Sequence, residues 1–210
     1  MKILVACEYS GTVRDAFRKL GHDAWSCDVL PTDSDPKYHY QCDVFEVINN
    51  GWDMLIAHPP CTYLSYAANR VWNQPGRAAK REDAMDFFMK LYNAPIKKIC
   101  VENPLGYSSK AFRKPDQTIH PYYFGEPYQK RTCLWLKNLS LLDYSKTKIE
   151  KPAPLYICQG EKSKGKPINW CEGSRGNNGV PRWKARSKTF QSIADAMAQQ
   201  WGGNVLEKAI

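Results

Sequence analysis

Short apolar runs alternate with amphipathic stretches over the first half of this chain, and no other feature restricts its fold as tightly. "KILVAC" reads as a strand, and "TVRDAFRKLG" follows as a helix with Val13, Phe17 and Leu20 on one face and Gly21 placed to end it. "DAWSCD" is a second strand closing on Asp28, and "YHYQCDVFEV" carries Asp43 after a third short extended piece. "WDMLIA" is a fourth strand, "AAKREDAMDFFMKLYNA" a helix and "KKICVEN" a fifth strand. Repeated βα units predict an α/β fold with a mainly parallel sheet. Further on, "IHPYYFG" and "RTCLWLKNL" are aromatic and β-branched enough to predict a closing antiparallel pair. "SKTFQSIADAMAQQWGG" predicts a last helix, capped by Ser187 or Thr189, whose apolar face of Ile193, Met197 and Trp201 packs back on the core.

A parallel sheet gathers its strand ends along one edge, where open α/β sheets hold their ligands. The residues just beyond the predicted strands are Cys7-Glu8-Tyr9-Ser10-Gly11, Asp28, Asp43, His58 to Cys61, and Glu102-Asn103-Pro104. In "IAHPPCTYLS" the two prolines cannot continue the strand's hydrogen-bond ladder, and they stiffen the loop that carries Cys61. An acid after the second strand is where such sheets hold a ribose hydroxyl, and the turn after the first strand lies near a bound nucleoside's tail. A cysteine thiolate is the strongest side-chain nucleophile near neutral pH. Paired with a glutamate, it can add across an electron-poor ring while the acid stabilises charge on a ring nitrogen. His58 with Cys61 is the nearest approach to a metal pattern and falls short of a four-ligand set, so no metal is expected.

The 210 residues suffice for one main core. A content of 43% hydrophobic and 24% charged residues, with no long apolar run, predicts a soluble protein without a membrane span. "MKILVACEYSG" starts a strand rather than a signal peptide, which predicts a cytoplasmic location. Eight cysteines are scattered through the chain, several inside predicted strands, and read as buried thiols rather than a disulfide framework. Charge is uneven: residues 144 to 190 hold 11 Lys or Arg and three Glu, a local net of +8 out of +9 for the chain. That block, with Trp170, Trp183 and glycines interleaved, predicts a nucleic-acid contact surface. The expected division is therefore a core over 1–143, a small irregular basic module over 144–186, and a helix over 187–210 that returns to the core.

"HPPC", "VENP" and "YQKRTCLWL", in that order and after a strand-one loop and two acids, resemble the Pro-Cys, Glu-Asn-Val and Gln-x-Arg-x-Arg motifs of the DNA cytosine-5 methyltransferases. The resemblance covers about residues 1 to 140 and, more loosely, the last helix. It implies a Rossmann-like methyltransferase fold with a seven-stranded, mostly parallel sheet, S-adenosylmethionine as cofactor and DNA as partner. Cys61 would then be the nucleophile that adds to C6 of a flipped cytosine, and Glu102 the group that hydrogen-bonds or protonates N3. Arg131 would support the base or the site geometry, Asn103 the loop and Gln129 the surrounding backbone. Asp28 matches the acid that meets the ribose, and Asp43 the residue that meets the adenine amine. Cys7, Glu8, Tyr9, Ser10, Gly11 and Pro59 complete the expected cofactor side, and Pro60 joins the substrate side.

The family's Phe-x-Gly-x-Gly loop is here "ACEYSG", with only Gly11 retained, which implies a different seat for the cofactor's methionine end. Glu8 is expected to meet its ammonium, and a modified methionine donor stays open. Pro104 replaces the family's Val, and Cys133 stands where a second Arg is expected. The basic segment is far smaller than the family's usual recognition domain, which implies short or loose sequence specificity. In it Lys146, Lys148, Lys162, Lys164, Lys166, Arg175, Arg182, Lys184 and Arg186 are expected to bind phosphates. So compact a chain resembles the enzymes of bacterial viruses and prophages, acting as a monomer in bacterial or infected-host cytoplasm. Two alternatives remain: the same chemistry on RNA or with another transferred group, and a non-catalytic binding module.

Overall fold

The computed structural model describes residues 1–66, 73–154, 156–159, 161, 164–168 and 182–203. Seven strands, β1 (Lys2–Ala6), β2 (Asp23–Asp28), β3 (His39–Gln41), β4 (Met54–Ala57), β5 (Lys98–Asn103), β6 (Gln117–Ile119) and β7 (Thr132–Lys137), form one sheet. Their order is β3-β2-β1-β4-β5-β7-β6. The pairs from β3 through β5 are parallel, and β7 alone is reversed, antiparallel to both β5 and β6. The α/β fold with a mostly parallel seven-stranded sheet is therefore present. From β1 the chain works outward to β3 and then crosses back to β4, so the strand order reverses between β1 and β4, and a crevice opens there at the strands' carboxyl ends.

Strand alternation sorts the core into two layers. Ile3 and Val5 of β1, Met54 and Ile56 of β4, Cys100 of β5, and Leu134 and Leu136 of β7 face one way. They pack against α1 (Thr12–Lys19) and α6 (Gln191–Met197) through Val13, Phe17, Ile193, Met197 and Trp201. Leu4, Leu55, Ile99, Val101 and Trp135 face the other way, onto α2 (Val44–Val47) and α3 (Arg77–Tyr92) through Val47, Met85, Phe88 and Leu91. The central strands β1, β4 and β5 are buried on both faces, as parallel sheets require, which is why they read as nearly unbroken apolar runs. Gly21 ends the first helix as expected: at φ 84° its amide donates to the Arg18 carbonyl over 2.9 Å.

Three local expectations need correction. The antiparallel pair exists, but its first strand is Gln117–Ile119, and "IHPYYFG" contributes only Ile119. Pro121 has no amide to donate and opens a 3₁₀ turn over Pro121–Phe124. Neither Ser187 nor Thr189 caps the last helix: Phe190 holds the cap position, and Glu126 Oε1 takes the Ser192 amide over 2.8 Å. The basic segment is not wholly irregular, since β8 (Tyr156–Ile157) and β9 (Pro167–Ile168) form a small antiparallel hairpin within it. Trp170 lies outside the described residues. Among the described residues no helix is long and apolar enough to cross a membrane.

The loop after β4 is stapled to the loop after β5. Ser65 and Gly106 form an isolated bridge, and the Tyr107 amide donates to the Leu64 carbonyl over 2.6 Å, just ahead of α4 (Ser108–Ala111). A Cβ on Gly106 would stand 2.0 Å from the Leu64 carbonyl oxygen and 2.9 Å from Ser65 Cα, so only glycine permits this approach. Gly106→Ala should therefore cost about 1–3 kcal/mol in denaturant unfolding, the usual range for forced overpacking. It should also speed amide exchange at Tyr107. Unchanged exchange there would mean the two loops are not held through this contact.

Candidate active site

The side chains that carry chemistry are placed by strand parity and register. His58 continues the phase of Met54 and Ile56, and Glu102 that of Cys100, so both project at the strand tips toward the layer of α1 and α6. Because Ala57 pairs with Val101, His58 and Glu102 are level neighbours. Their side chains meet, with His58 Nδ1 3.0 Å from Glu102 Oε2. Burial pushes the Glu102 carboxyl up, but the His58 hydrogen bond, the His58 charge and Lys130 outweigh it, so the net shift is downward. Glu102 is then a carboxylate, an acceptor only, and the proton between them sits on His58 Nδ1.

Cys61 follows on the stiffened loop. Pro59 is buried and Pro60 exposed, and Asn103 Nδ2 donates to the Pro59 carbonyl over 2.8 Å, tying the proline pair to the end of β5. The Cys61 residue is exposed, yet its thiol is raised, first by local burial and then by the Glu102 charge, while Lys130 and Arg186 pull it down. Lys130, His58, Glu102, Thr132, Thr189, Phe190, Ile193 and Met197 line a cavity of about 10 Å³, the room of one water molecule. Lys130 itself donates to the carbonyls of Arg186 and Lys188 over 3.1 and 3.2 Å.

The cofactor-side residues form a second cluster beside the first. Cys7 takes a left-handed backbone at φ 57°, unusual for a residue with a side chain. By alternation Cys7 belongs with Ile3 and Val5, but the turn swings it onto the opposite layer. Its thiol is pushed up to about 12 by burial, with the Asp28 and Asp43 charges adding to the rise, so the three groups share one neighbourhood. Asp28, half-buried at the tip of β2, accepts from the Leu30 amide over 2.9 Å. Asp43 is exposed and caps α2 in a capping box with Glu46, accepting from the Phe45 amide over 2.9 Å.

Glu8 is the largest departure from expectation. It is 4% exposed, and its oxygens accept from the Val13 amide over 2.7 Å, the Arg14 amide over 3.2 Å and the Ser10 hydroxyl over 3.3 Å. It caps α1 from the preceding loop. Burial still raises its carboxyl, against the opposing effects of His58 and the two amides. Gly11, at φ 73°, admits no side chain, because a Cβ would stand 2.7 Å from Arg14 Nη2 and 2.8 Å from Ser34 Cβ. Arg14 is fully buried there, donating to Ser26 Oγ and to the Asp35 carbonyl over 3.1 Å each.

Tyr9 reaches the other way. Its hydroxyl donates to the Lys184 carbonyl over 2.7 Å and meets Ser187 Oγ at 2.9 Å, both on α5 (Arg182–Ser187). Asp33 pairs with Lys184 over 2.6 Å and Lys188 over 3.0 Å, so Lys184 is an internal partner rather than an open phosphate contact. Lys146, Lys148, Lys164, Lys166 and Arg186 are exposed. Lys162 and Arg175 lie outside the described residues, as does the side chain of Arg182. Gln129 anchors its loop by donating to the Pro152 carbonyl over 2.5 Å.

Sequence reasoning singled out Gln129 and Arg131 and passed over the residue between them. Arg131 is exposed and absent from the Glu102 cavity, which Lys130 lines instead. Alternation carries the signal: Lys130 shares parity with Thr132, Leu134 and Leu136, and Arg131 does not. His58, weighed earlier only as a metal ligand, is the direct partner of Glu102. Among the described residues no group of three His, Cys, Asp or Glu could hold a metal ion.

No protein-family model matches the sequence, and neither does any curated protein. Among solved structures, the chain is similar to a protein described as a DNA modification methyltransferase encoded within an E. coli prophage, at 16% identity and a TM-score of 0.44. That match covers 74% of this chain and 56% of the other. It is also similar to the S. pombe Dnmt2 methyltransferase, at 13% identity and a TM-score of 0.46, covering 71% of this chain and 56% of the other. The chain thus corresponds to little more than half the length of either protein. The fold assignment rests on the strand order itself.

Opposed charges around Cys61 give a direct check. Lys130→Met removes a charge that lowers the thiol's pKa and should slow alkylation of Cys61 near pH 8, while Glu102→Gln removes one that raises it and should speed the reaction. Each change is expected to be about 3- to 10-fold, read by mass spectrometry of the Cys61 peptide. Equal rates in all three proteins would separate Cys61 from both groups.

Proposed function

We propose that this protein is a DNA cytosine-5 methyltransferase that uses S-adenosylmethionine and acts on a cytosine flipped out of its stack. One observation carries the reading: Cys61 stands at the β4 tip of the strand-order reversal within the field of Glu102, with the Cys7, Asp28 and Asp43 cluster at the neighbouring tips of β1, β2 and β3. The order of the "HPPC", "VENP" and "YQKRTCLWL" motifs supports it independently.

The cofactor-side residues suit the group in their chemistry. Asp28, half-buried at the end of β2, offers a carboxylate for ribose hydroxyls, and Asp43 an exposed one for an exocyclic amine. When bound, S-adenosylmethionine supplies an electrophilic methyl group. This chain's own residues activate the base. Cys61, after its thiol proton has passed to solvent, adds to C6 as the thiolate, and the electron pair of the C5–C6 double bond is released toward C5 and N3. Glu102 sits where charge develops at N3 and stabilises it by hydrogen bond or proton. Loss of the C5 proton to water then expels Cys61 as its thiolate and restores the ring. Asn103 keeps the Pro59 loop in register with β5 throughout. Arg186 and Lys130 place positive charge beside the nucleophile, suited to the phosphates flanking a flipped nucleotide. Lys164 and Lys166 are exposed and free of acidic partners in sequence next to them, and the small recognition segment implies loose sequence preference.

The test is covalent trapping. DNA containing 5-fluorocytosine, incubated with protein and S-adenosylmethionine, should form an adduct stable to denaturation, because fluorine cannot leave as the C5 proton does. Cys61→Ser should form none while binding cofactor nearly as well as the wild type. An adduct that survives Cys61→Ser would remove Cys61 from the chemistry, and an adduct formed on RNA alone would reassign the substrate.

A further inference from the structure

The transfer proposed above asks Glu102 for something its resting state lacks. To protonate N3 it must hold a proton, yet next to His58 and Lys130 it is a carboxylate. The proton nearest to it lies on its partner, 3.0 Å away. We propose that His58 is a positioning residue for this reaction, aiming Glu102 at the base and passing it, through Nδ1, the single proton that the pair shares. This rests on the methyltransferase reading.

Geometry separates this role from that of an ordinary buried histidine. The ring is 9% exposed, and its neighbour's carboxylate is 18% exposed. Most buried side-chain polar atoms have a hydrogen-bond partner in the protein or in bound water. Here Nδ1 has Glu102, while Nε2 is buried without a partner among the described residues. The groups that face the ring are few. Glu102 comes from β5, and Glu8, from the loop after β1, lies within the field of a charge on His58. Lys130, ahead of β7, lines the same small cavity. From the side of α6 come Thr189, Phe190, Ile193 and Met197, none of which titrates. Glu8 is already committed to the α1 amides, which leaves Glu102 as the acceptor for the His58 proton.

The step balances. As the Cys61 sulfur bonds to C6, electron density moves onto N3. His58 enters the step as the imidazolium, with a proton on each ring nitrogen; its Nδ1 proton passes to the Glu102 carboxylate, and Glu102 protonates N3, leaving a neutral imidazole beside a carboxylate. When the C5 proton passes to water and the C6–S bond breaks with its electron pair leaving on the Cys61 sulfur, N3 returns its proton to the pair, which restores the imidazolium and the carboxylate. No oxidant or further reactant is needed.

His58→Asn and His58→Ala test this together. Asn can place an N–H near the site of Nδ1 but cannot carry the proton, whereas Ala does neither. For His58→Asn the turnover at pH 8 should fall about 10²-fold with DNA affinity unchanged within about twofold. The deficit should shrink as pH falls, because solvent can then protonate Glu102. The sign follows from the structure: removing the His58 charge raises the Glu102 pKa, so the acid form is reached at higher pH than in the wild type. Wild-type turnover in His58→Asn, or a loss that is constant with pH and appears mainly in KM, would overturn the proposal. A second readout needs no activity. In the protein without cofactor or DNA, ¹³C-carboxyl titration of Glu102 should move upward in both variants. An unmoved titration would overturn the pairing even if the wild type proves active. A wild type that transfers nothing would instead remove the methyltransferase reading, and the titration would still decide the pair.

Discussion

The parallel register between β4 and β5 is the constraint on which the site depends. Pairing Ala57 with Val101 makes the next residue on each strand, His58 and Glu102, level neighbours on the same face. A shift of one residue in either strand would turn one of them to the opposite layer. The register is secured because both strands are buried on both faces: Met54, Ile56 and Cys100 fit the layer of α1 and α6, and Leu55, Ile99 and Val101 the layer of α2 and α3. Beyond the strand tips the loops inherit that order. Asn103 fixes the proline pair, and the contact between Ser65 and Gly106 fixes the segment after Cys61.

Glu8 and Glu102, at the same edge, show how environment divides chemically identical groups. Glu8 is satisfied by amides at the start of α1 and remains raised by burial. Glu102 meets an imidazole and an ammonium instead, and these hold it down. The first holds the start of a helix, and the second acts on Cys61 through its charge. A left-handed Cys7 makes the division possible, since the turn puts Cys7 beside Asp28 and Asp43 and leaves Glu8 facing the helix.

Much of this was legible in the sequence. Apolar runs and the turn residues after them located five parallel strands, and the list of residues beyond their ends named Cys61, Glu102, Asp28 and Asp43. What escaped were side-chain directions that depend on tertiary neighbours. Nothing local says that Glu8 folds back on its own helix, that Glu126 replaces Ser187 and Thr189 as the cap, or that Lys184 is claimed by Asp33. Lys130 is an intermediate case. Its parity with Thr132 and Leu134 was available, but motif resemblance drew attention to Arg131. The first strand of the closing pair was misplaced because aromatic content outweighed the veto of Pro121.

Tyr9 and Asp33, from the loops that flank the Cys7 cluster, grip the short helix that leads out of the basic segment. Cys61 in turn lies within the field of Arg186 on that same helix. The Cys7 cluster, Cys61 and the helix Arg182–Ser187 are thus linked at one edge of the sheet. The central claim is that this edge places a carbon group on C5 of cytosine. Nucleoside mass spectrometry of DNA and RNA from cells expressing the wild type or Cys61→Ser tests it most directly. The account predicts a C5-substituted deoxycytidine in DNA from the wild type alone, its added mass reporting whether the group is a plain methyl. Unmodified cytosine in both nucleic acids, with folded wild-type protein in the cell, would contradict it.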